Sequence, residues 1–524
     1  MLLPLGLLVL LTTVLCELAA RKGWLPYWVS RKILHVVAVG SCAVAGYYAD
    51  RLGHRQLLTW IVAVAEVALL GLIGFGGLMR EESGRKPWGI VWFPLAFLLM
   101  LIFIPHAEMI GFCMAVLAIC DPAATIAGKL YQKGYKPEET AHLDGHLVAA
   151  PASPWYAYNL TGDPKTLIGS GAFFLSFLAL CYLFPVIEVI PVIYEEEVTE
   201  LLDYLYLYED VYSPYFLVSV GLILTIGEAL GTRGSDNLIV PLLACFFMAL
   251  VGDGFKNHYP AAYWPPLLVL LSAVFAFITV KRKMLTYGGA FTAAILGTVI
   301  FFAAGPGKLL PLLLFFASSS LIGRLTRDSS VEGDSKHQQP RDSIQVLANG
   351  GVYGALCICV AYAAKYDPLP VDDFDGFTVL LLITAAVANA DTWSSELGQY
   401  FRQPTYDLLK WRRVPAGLSG GVSAAGTLAG VVGAGVIAVL GYWLLNEPDH
   451  GTILTITGVG FLGMLLDSVL GSLLQATYQD PATGQRSDVE HPGFVPVSGF
   501  PWMTNDLVNF LAILLTVGGA YVFG

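Results

Sequence analysis

Charge is what this chain has least of. Only 13% of its 524 residues are charged, against 56% hydrophobic, and the mean hydropathy is +0.65. A composition this apolar excludes an ordinary soluble enzyme. Basic residues are scarcer than acidic ones, 29 Lys and Arg against 40 Asp and Glu, so no nucleic-acid partner is implied. The eight cysteines are scattered in or beside apolar runs, and their one close pair, Cys357 and Cys359, lacks zinc-finger spacing. They read as small apolar packers. The first apolar run lacks a basic segment ahead of it and a small-residue cleavage site before Cys16, so it reads as a retained span.

What the chain has in abundance is apolar runs long enough to cross about 30 Å of hydrocarbon. They recur from residues 3–20 to 506–523 and predict an all-α, polytopic transmembrane bundle of about sixteen helices. Lys and Arg of short loops collect on the cytoplasmic side. With Met1 outside, Arg31/Lys32, Arg80/Arg85/Lys86, Lys281/Arg282/Lys283, Arg324 to Arg341 and Lys410/Arg412/Arg413 all fall inside, as does Arg233. The expectation is a cell (inner) membrane protein whose polar clusters face the cytoplasm.

Turn formers gather in Gly252-Asp253-Gly254-Phe255-Lys256-Asn257-His258-Tyr259-Pro260, dividing the chain into two bundles, 1–256 and 260–524. The acidic, aromatic segment 191–212 is expected to form a short interfacial helix.

In the second half, Asn389, Asp391, Ser395 and Glu396 end an apolar run. Ionisable groups at membrane depth mark function by default. Asp391 and Glu396 lie five apart, so a helix broken near Trp393 is expected to turn both into one cavity. Asp467 and Ser468, with Gln475 beyond, supply a second polar group; Asn505 and Asp506 supply a third; Arg341, Gln345 and Asn349 recur at i, i+4, i+8. Glycines 417, 420 and 421, on a helix led by Pro415 beside Arg412 and Arg413, are placed to hold a phosphate. Gly426, Gly430, Gly433 and Gly435 read instead as close helix packing. Carboxylates Asp391, Glu396, Asp467 and Asp506 suit Mg²⁺, which takes oxygen ligands, and arginines suit a polyphosphate.

In the first half, Arg31, Lys32 and His35 open the second helix, and Asp121 to Gly128 and Lys129 close the fifth. Asp144-Gly145-His146, Glu228, Asp236 and Asn237 follow. Asp121 and Asp236 are the candidate metal ligands, with the basic residues and Asn237 on the nucleotide.

The strings Lys283 to Ala290, Phe315 to Ser320, Gln345 to Gly351, Ala388 to Gly398, Leu466 to Gly471 and Asn505 to Phe510 resemble, in order and spacing, the DUF92 family, whose plant members include phytyl-phosphate kinase. That resemblance implies phosphorylation of an isoprenyl monophosphate to the diphosphate. Arg31-Lys32-x-x-His35, Asp121-x-x-Ala124-x-x-x-Gly128-Lys129, Asp144-Gly145 and Asp236 to Pro241 resemble the CTP-dependent polyprenol, dolichol and phytol kinases. Cys120 stands where that family has Gly, and Asp144-Gly145-His146 where it has Glu-Gly-Ser.

Together the two resemblances imply a bifunctional membrane kinase. It converts an isoprenoid alcohol of the phytol, geranylgeraniol or farnesol class to the monophosphate and then the diphosphate, with Mg²⁺ and CTP or ATP. Asp121, Asp236, Asp391 and Asp467 are the expected catalytic carboxylates. The rival is a lipid or lipid-phosphate transporter with a scaffolding first half, which predicts broken helices on opposite faces.

Overall fold

The computed structural model describes residues 2–50, 52–74, 89–104, 107–133, 157–158, 165–183, 214–231, 234–253, 264–326, 339–366, 371–415, 417–445, 449–481, 483–484, 486–488 and 491–523. The segment 191–212, Asp144-Gly145-His146, Arg233 and residues 254–260 of the dividing loop lie outside them. The described chain is mainly helical, with sixteen α-helices of fifteen residues or more. Ten are long and apolar enough to cross a membrane. The eight cysteines are free thiols, six of them buried. The chain forms two compact units, Met1–Leu271 and Ser272–Gly524.

The first unit contains α1 (Leu2–Arg21), α2 (Tyr27–Tyr48), α3 (Arg55–Gly74), α4 (Gly89–Phe103), α5 (Ala107–Lys133), α6 (Leu167–Leu183), α7 (Pro214–Leu230) and α8 (Asp236–Asp253). A two-stranded ribbon, β1 (Ala157–Tyr158) and β2 (Lys165–Thr166), precedes α6 and pairs Tyr158 with Lys165. Its core is α5. Gly111 lets α2 approach so closely that a Cβ there would lie 3.1 Å from the Ala43 carbonyl oxygen, and Gly169 meets the Ala124 carbonyl at 2.9 Å in the same way. Small residues do the packing because lipid leaves helices little hydrophobic drive to associate.

Helix α9 (Trp264–Lys281) spans the division and leads to α10 (Tyr287–Ala304), a 3₁₀ turn (Pro306–Leu309), α11 (Leu310–Thr326), α12 (Ser343–Tyr366), α13 (Val371–Tyr400), α14 (Ala424–Ala438), the single turn α15 (Gly441–Leu444), α16 (His450–Leu474) and α17 (Asn505–Phe523). The long helix α13 is the axis of this unit, with Ala385, Ala386, Val387, Ala388 and Ala390 almost wholly buried. Its small side chains admit glycine-bearing neighbours: Gly460 of α16 faces Ala386, and Gly433 of α14 faces Trp393 and the Asn389 carbonyl. Gly426 and Gly430 are equally crowded, against the Ser394 carbonyl and Met464.

Two three-stranded antiparallel sheets cap this end. One orders β4 (Arg413–Val414), β3 (Thr405–Asp407) and β5 (Gly421–Val422); the other orders β7 (Arg486–Ser487), β6 (Thr477–Gln479) and β8 (Val495–Ser498).

Candidate functional site

Successive helices of the second unit alternate in direction, so α12, α14 and α17 begin where α11, α13 and α16 end. Each start is capped. Asp342 Oδ1 accepts from the backbone N–H groups of Ile344 and Gln345, both at 3.0 Å, and Gln345 Oε1 accepts in return from Asp342 N at 3.2 Å. This reciprocal pair is a capping box. Ser423 Oγ accepts from Gly426 N, and Thr504 Oγ1 accepts from Leu507 N.

The helix ends enclose a cavity of about 290 Å³ whose walls include Arg341, Gln345, Asn349, Asp391, Glu396, Asp467, Ser468, Asn505 and Asp506. Ser395 lines it as well, so ten side chains proposed from sequence share one space. Gly417, Gly420 and Gly421 line it too, but no helix starts beside Pro415: 417–420 turns, with positive φ at Gly417 and Gly420, and α14 begins after Ser423. Arg412 and Arg413 lie outside the cavity lining and are exposed, because Arg413 pairs with Tyr406 across the β3–β4 ribbon.

Helix α13 runs unbroken through Trp393 to Tyr400. At 100° per residue Asp391 and Glu396 point about 140° apart, and the cavity wraps around the helix end to reach both. They serve different walls. Asp391 meets Asp467 side chain to side chain. With its amide turned to suit its neighbours, Asn509 donates to Asp467 Oδ1 and to the Asn505 carbonyl, each at 3.0 Å. Glu396 lies across from them, accepting from Thr326 Oγ1 at 2.8 Å and facing Gly323 of α11. Among the described residues, no set of three metal-ligating side chains in this unit converges, so the pair Asp391–Asp467 is the compact carboxylate feature. Its carboxylate oxygens are the ligand type that Mg²⁺ takes.

The basic wall combines Arg341 with three residues not singled out as ligands from sequence, Arg282, Lys283 and Arg324. Arg341 Nη1 donates to Ser319 Oγ at 3.0 Å, and the guanidinium lies 5.7 Å from the Phe315 ring centroid. Its backbone is clamped: Arg341 N donates to Met284 O at 3.1 Å, and Thr286 N donates to Arg341 O at 3.0 Å. A Cβ on Gly289 would sit 2.4 Å from that carbonyl, which explains a glycine there. Burial draws the guanidinium below its ordinary pKa, and the Glu396 charge opposes this.

Asn389 and Gln475 take structural parts. Asn389 is fully buried; it donates to the Gly433 carbonyl at 2.7 Å and accepts from Ser318 Oγ at 2.9 Å, tying α11, α13 and α14 together. Gln475 caps α16 and accepts from Ser419 Oγ at 2.6 Å. Asp407 ties the β3 ribbon to α16: Ser472 Oγ donates to both of its oxygens, at 3.0 and 2.9 Å, and Leu409 N and Lys410 N donate to Oδ1 at 3.0 and 2.8 Å. Burial pushes this carboxyl up, but those donors and the Lys410 charge outweigh it and hold its pKa below the ordinary value. Its stabilising contribution is therefore complete above the unfolded value of about 3.9 and lost as pH falls through the lower folded value. Thermal melts should show Asp407→Asn less stable than the parent at pH 7, with the difference closing in strong acid.

The first unit gathers a second cluster. Asp121 Oδ1 and Oδ2 accept from Lys32 Nζ at 2.9 and 2.8 Å, and His35 Nε2 lies 3.2 Å from Oδ2. Lys165 Nζ donates to Glu228 Oε1 at 2.5 Å and Asp236 Oδ2 at 3.3 Å. Oxygens of Asp121, Glu228 and Asp236 fall within 4.8 Å of one another. Burial acts to lower the Lys165 pKa, but Asp236 and Glu228 prevail and hold it well above the ordinary value. Lys165 was not read from sequence as part of a site, since nothing beside it marks it.

Other residues of that reading lie elsewhere. Asp121 sits mid-helix rather than closing α5. Arg31 is exposed, one residue round from the face carrying Lys32 and His35. Gly128 packs against Thr166, where a Cβ would meet Oγ1 at 2.8 Å, and Lys129 Nζ lies over the Trp28 ring at 4.5 Å. Asn237 donates to the Gly89 carbonyl at 3.0 Å, joining α8 to the start of α4.

The capped helix ends and shared cavity occupy a stretch that a family model matches. Residues 270–517 match the family model Integral membrane protein DUF92. The chain resembles Protein PGR of Arabidopsis thaliana, 27% identical over 277 residues that cover 49% of this chain and 96% of that one. An uncharacterized membrane protein of Synechocystis is 27% identical over 266 residues, 49% of this chain and 90% of its own. Protein VTE6, chloroplastic, of Arabidopsis is 25% identical over 238 residues, 44% of this chain and 62% of its length. No solved structure matches. With its DUF92 match and its apolar helices, the chain is an integral membrane protein.

Proposed function

We propose that the second unit is a phosphotransferase that moves the γ-phosphoryl group of a nucleoside triphosphate, CTP or ATP, onto an isoprenoid monophosphate. The observation that carries this reading is one cavity with a carboxylate wall, Asp391 and Asp467, facing an arginine wall at Arg341. A phosphate oxygen of the acceptor attacks the γ-phosphorus, the bond to the β-phosphate oxygen breaks, and the nucleoside diphosphate leaves. The acceptor phosphate is largely ionised near pH 7, so no strong base is required. Positioning and charge stabilisation suffice. Asp391 and Asp467 would hold Mg²⁺, which when bound supplies charge neutralisation across the phosphates.

For the first unit we propose the preceding step, phosphorylation of an isoprenoid alcohol of the phytol, geranylgeraniol or farnesol class. Asp121, Glu228 and Asp236 would be its metal-binding carboxylates, and Lys32 and Lys165 its phosphate-directed cations. Joining the two steps in one chain raises the local concentration of the monophosphate. Both sites face the soluble nucleotide pool in this reading. The chloroplast address in one relative's name favours a plastid or thylakoid membrane over the cell membrane expected from sequence.

The full-length protein, incubated with Mg²⁺, labelled CTP or ATP, and geranylgeraniol or its monophosphate, should yield labelled monophosphate from the first lipid and labelled diphosphate from the second. Absence of labelled lipid from either substrate rejects the kinase reading and leaves the transporter.

A further inference from the structure

We propose that Arg341, positioned by Ser319, seats the acceptor phosphate, so that the second unit takes a lipid already bearing a phosphate and refuses the free alcohol. This rests on the phosphotransferase reading above and adds to it a division of the cavity into two subsites.

Arg341 has five N–H donors in a rigid fork. Within the described structure, Ser319 Oγ receives the guanidinium's one hydrogen bond, and Arg341 lines the cavity. Most of its donor capacity is thus offered inward, by a side chain whose backbone is clamped at Met284 and Thr286 and whose plane lies beside Phe315. Ser319 Oγ in turn donates to the Phe315 carbonyl at 2.6 Å, leaving its lone pairs for Arg341. The arginine is therefore held before any ligand arrives, and a forked cation fixed in this way suits the oxygens of a phosphate.

The choice of acceptor over nucleotide follows from the opposite wall. Asp391 and Asp467, with Asn505 and Asn509 beside them, attract a cation and so receive a metal-bearing nucleotide. On the Arg341 wall, Arg282, Lys283, Arg324 and Arg341 outnumber the one carboxylate, Glu396, and the excess positive charge suits a lipid monophosphate. The helices on this side also expose large apolar residues, Leu321 and Leu325 of α11 and Ile344 and Leu347 of α12. Asp391 of the carboxylate wall instead sits on α13, whose residues from Leu380 to Ala390 are almost wholly buried. Lipid is at hand on the arginine side.

Specificity against the alcohol comes from the same geometry. A site built to bond a polar group rejects an analogue that lacks it, because its own donors are left unpaired, and the penalty reaches about a thousandfold or more.

The test uses a photoreactive geranylgeranyl monophosphate on the full-length protein, with crosslinks mapped to α11 and α12 by mass spectrometry. In the parent, unlabelled monophosphate should displace the probe from these helices while geranylgeraniol fails to do so; equal displacement by the alcohol overturns the proposal. Arg341→Met should weaken monophosphate binding about a hundredfold with Mg²⁺–nucleotide binding unchanged, and Arg341→Lys should fall between. Loss of nucleotide binding with intact monophosphate binding would assign Arg341 to the nucleotide, and no change in either would remove it from the site. Ser319→Ala should raise KM for the monophosphate and leave kcat unchanged; Ser319→Thr should restore KM. Selective displacement without any phosphoryl transfer would retain the seat and reject the phosphotransferase reading.

Discussion

Asp467→Asn is expected to lower the rate of diphosphate formation by about a thousandfold or more, to leave monophosphate formation intact, and to raise the thermal stability of the protein. The substitution keeps the shape of the side chain and can still pair with Asn509, but it leaves one acidic side chain where two lay in contact. Two carboxyl groups in contact cannot both ionise without cost, and that cost falls on the empty site. Relieving it stabilises the fold while removing the charge that would hold Mg²⁺, the trade-off expected where a site is built for function. Mg²⁺ should therefore raise the melting temperature of the parent more than that of the variant. A variant that melted lower than the parent would make Asp467 a structural residue, and loss of both products would mean one site shared by the two steps.

How much of this was legible depended on whether a residue's partners lie on its own helix. The helix count, the alternation of directions and the gathering of Asp391, Asp467, Asn505 and Arg341 at helix ends follow from apolar run lengths and loop positions, and the structure places these four side chains around one cavity. Periodicity fixes a residue's face, but it does not say what opposes that face. Asn389 and Asp391 both read as cavity wall, yet Asn389 is committed to Gly433 and Ser318. Gln345 lines the cavity and also closes a capping box three residues from Asp342, a local signal available in the sequence. A break at Trp393 is what the sequence leads one to expect for bringing Asp391 and Glu396 together; the cavity reaches both around an unbroken helix instead. Lys165 could not be found, because its carboxylate partners lie 63 and 71 residues away.

That lysine carries the other large effect. Lys165→Met should destabilise the first unit by about 3–5 kcal/mol, the cost of leaving a buried ionic partner uncompensated. Glu228 and Asp236, their side chains 5% and 15% exposed, would face each other with no ammonium between them, while Asp121 keeps Lys32. Adding Glu228→Gln to Lys165→Met should recover much of the loss, since it removes the orphaned charge; melting curves of the two single variants and the double variant measure the coupling. Divalent cation offers a second rescue. If Asp121, Glu228 and Asp236 form a cation site for which Lys165 stands in, Mg²⁺ should raise the melting temperature of Lys165→Met more than that of the parent, because the ion no longer competes with the ammonium. A variant as stable as the parent would show that Lys165 is not the counterion, and rescue by Glu228→Gln but not by Mg²⁺ would leave a structural ion pair in place of a metal site.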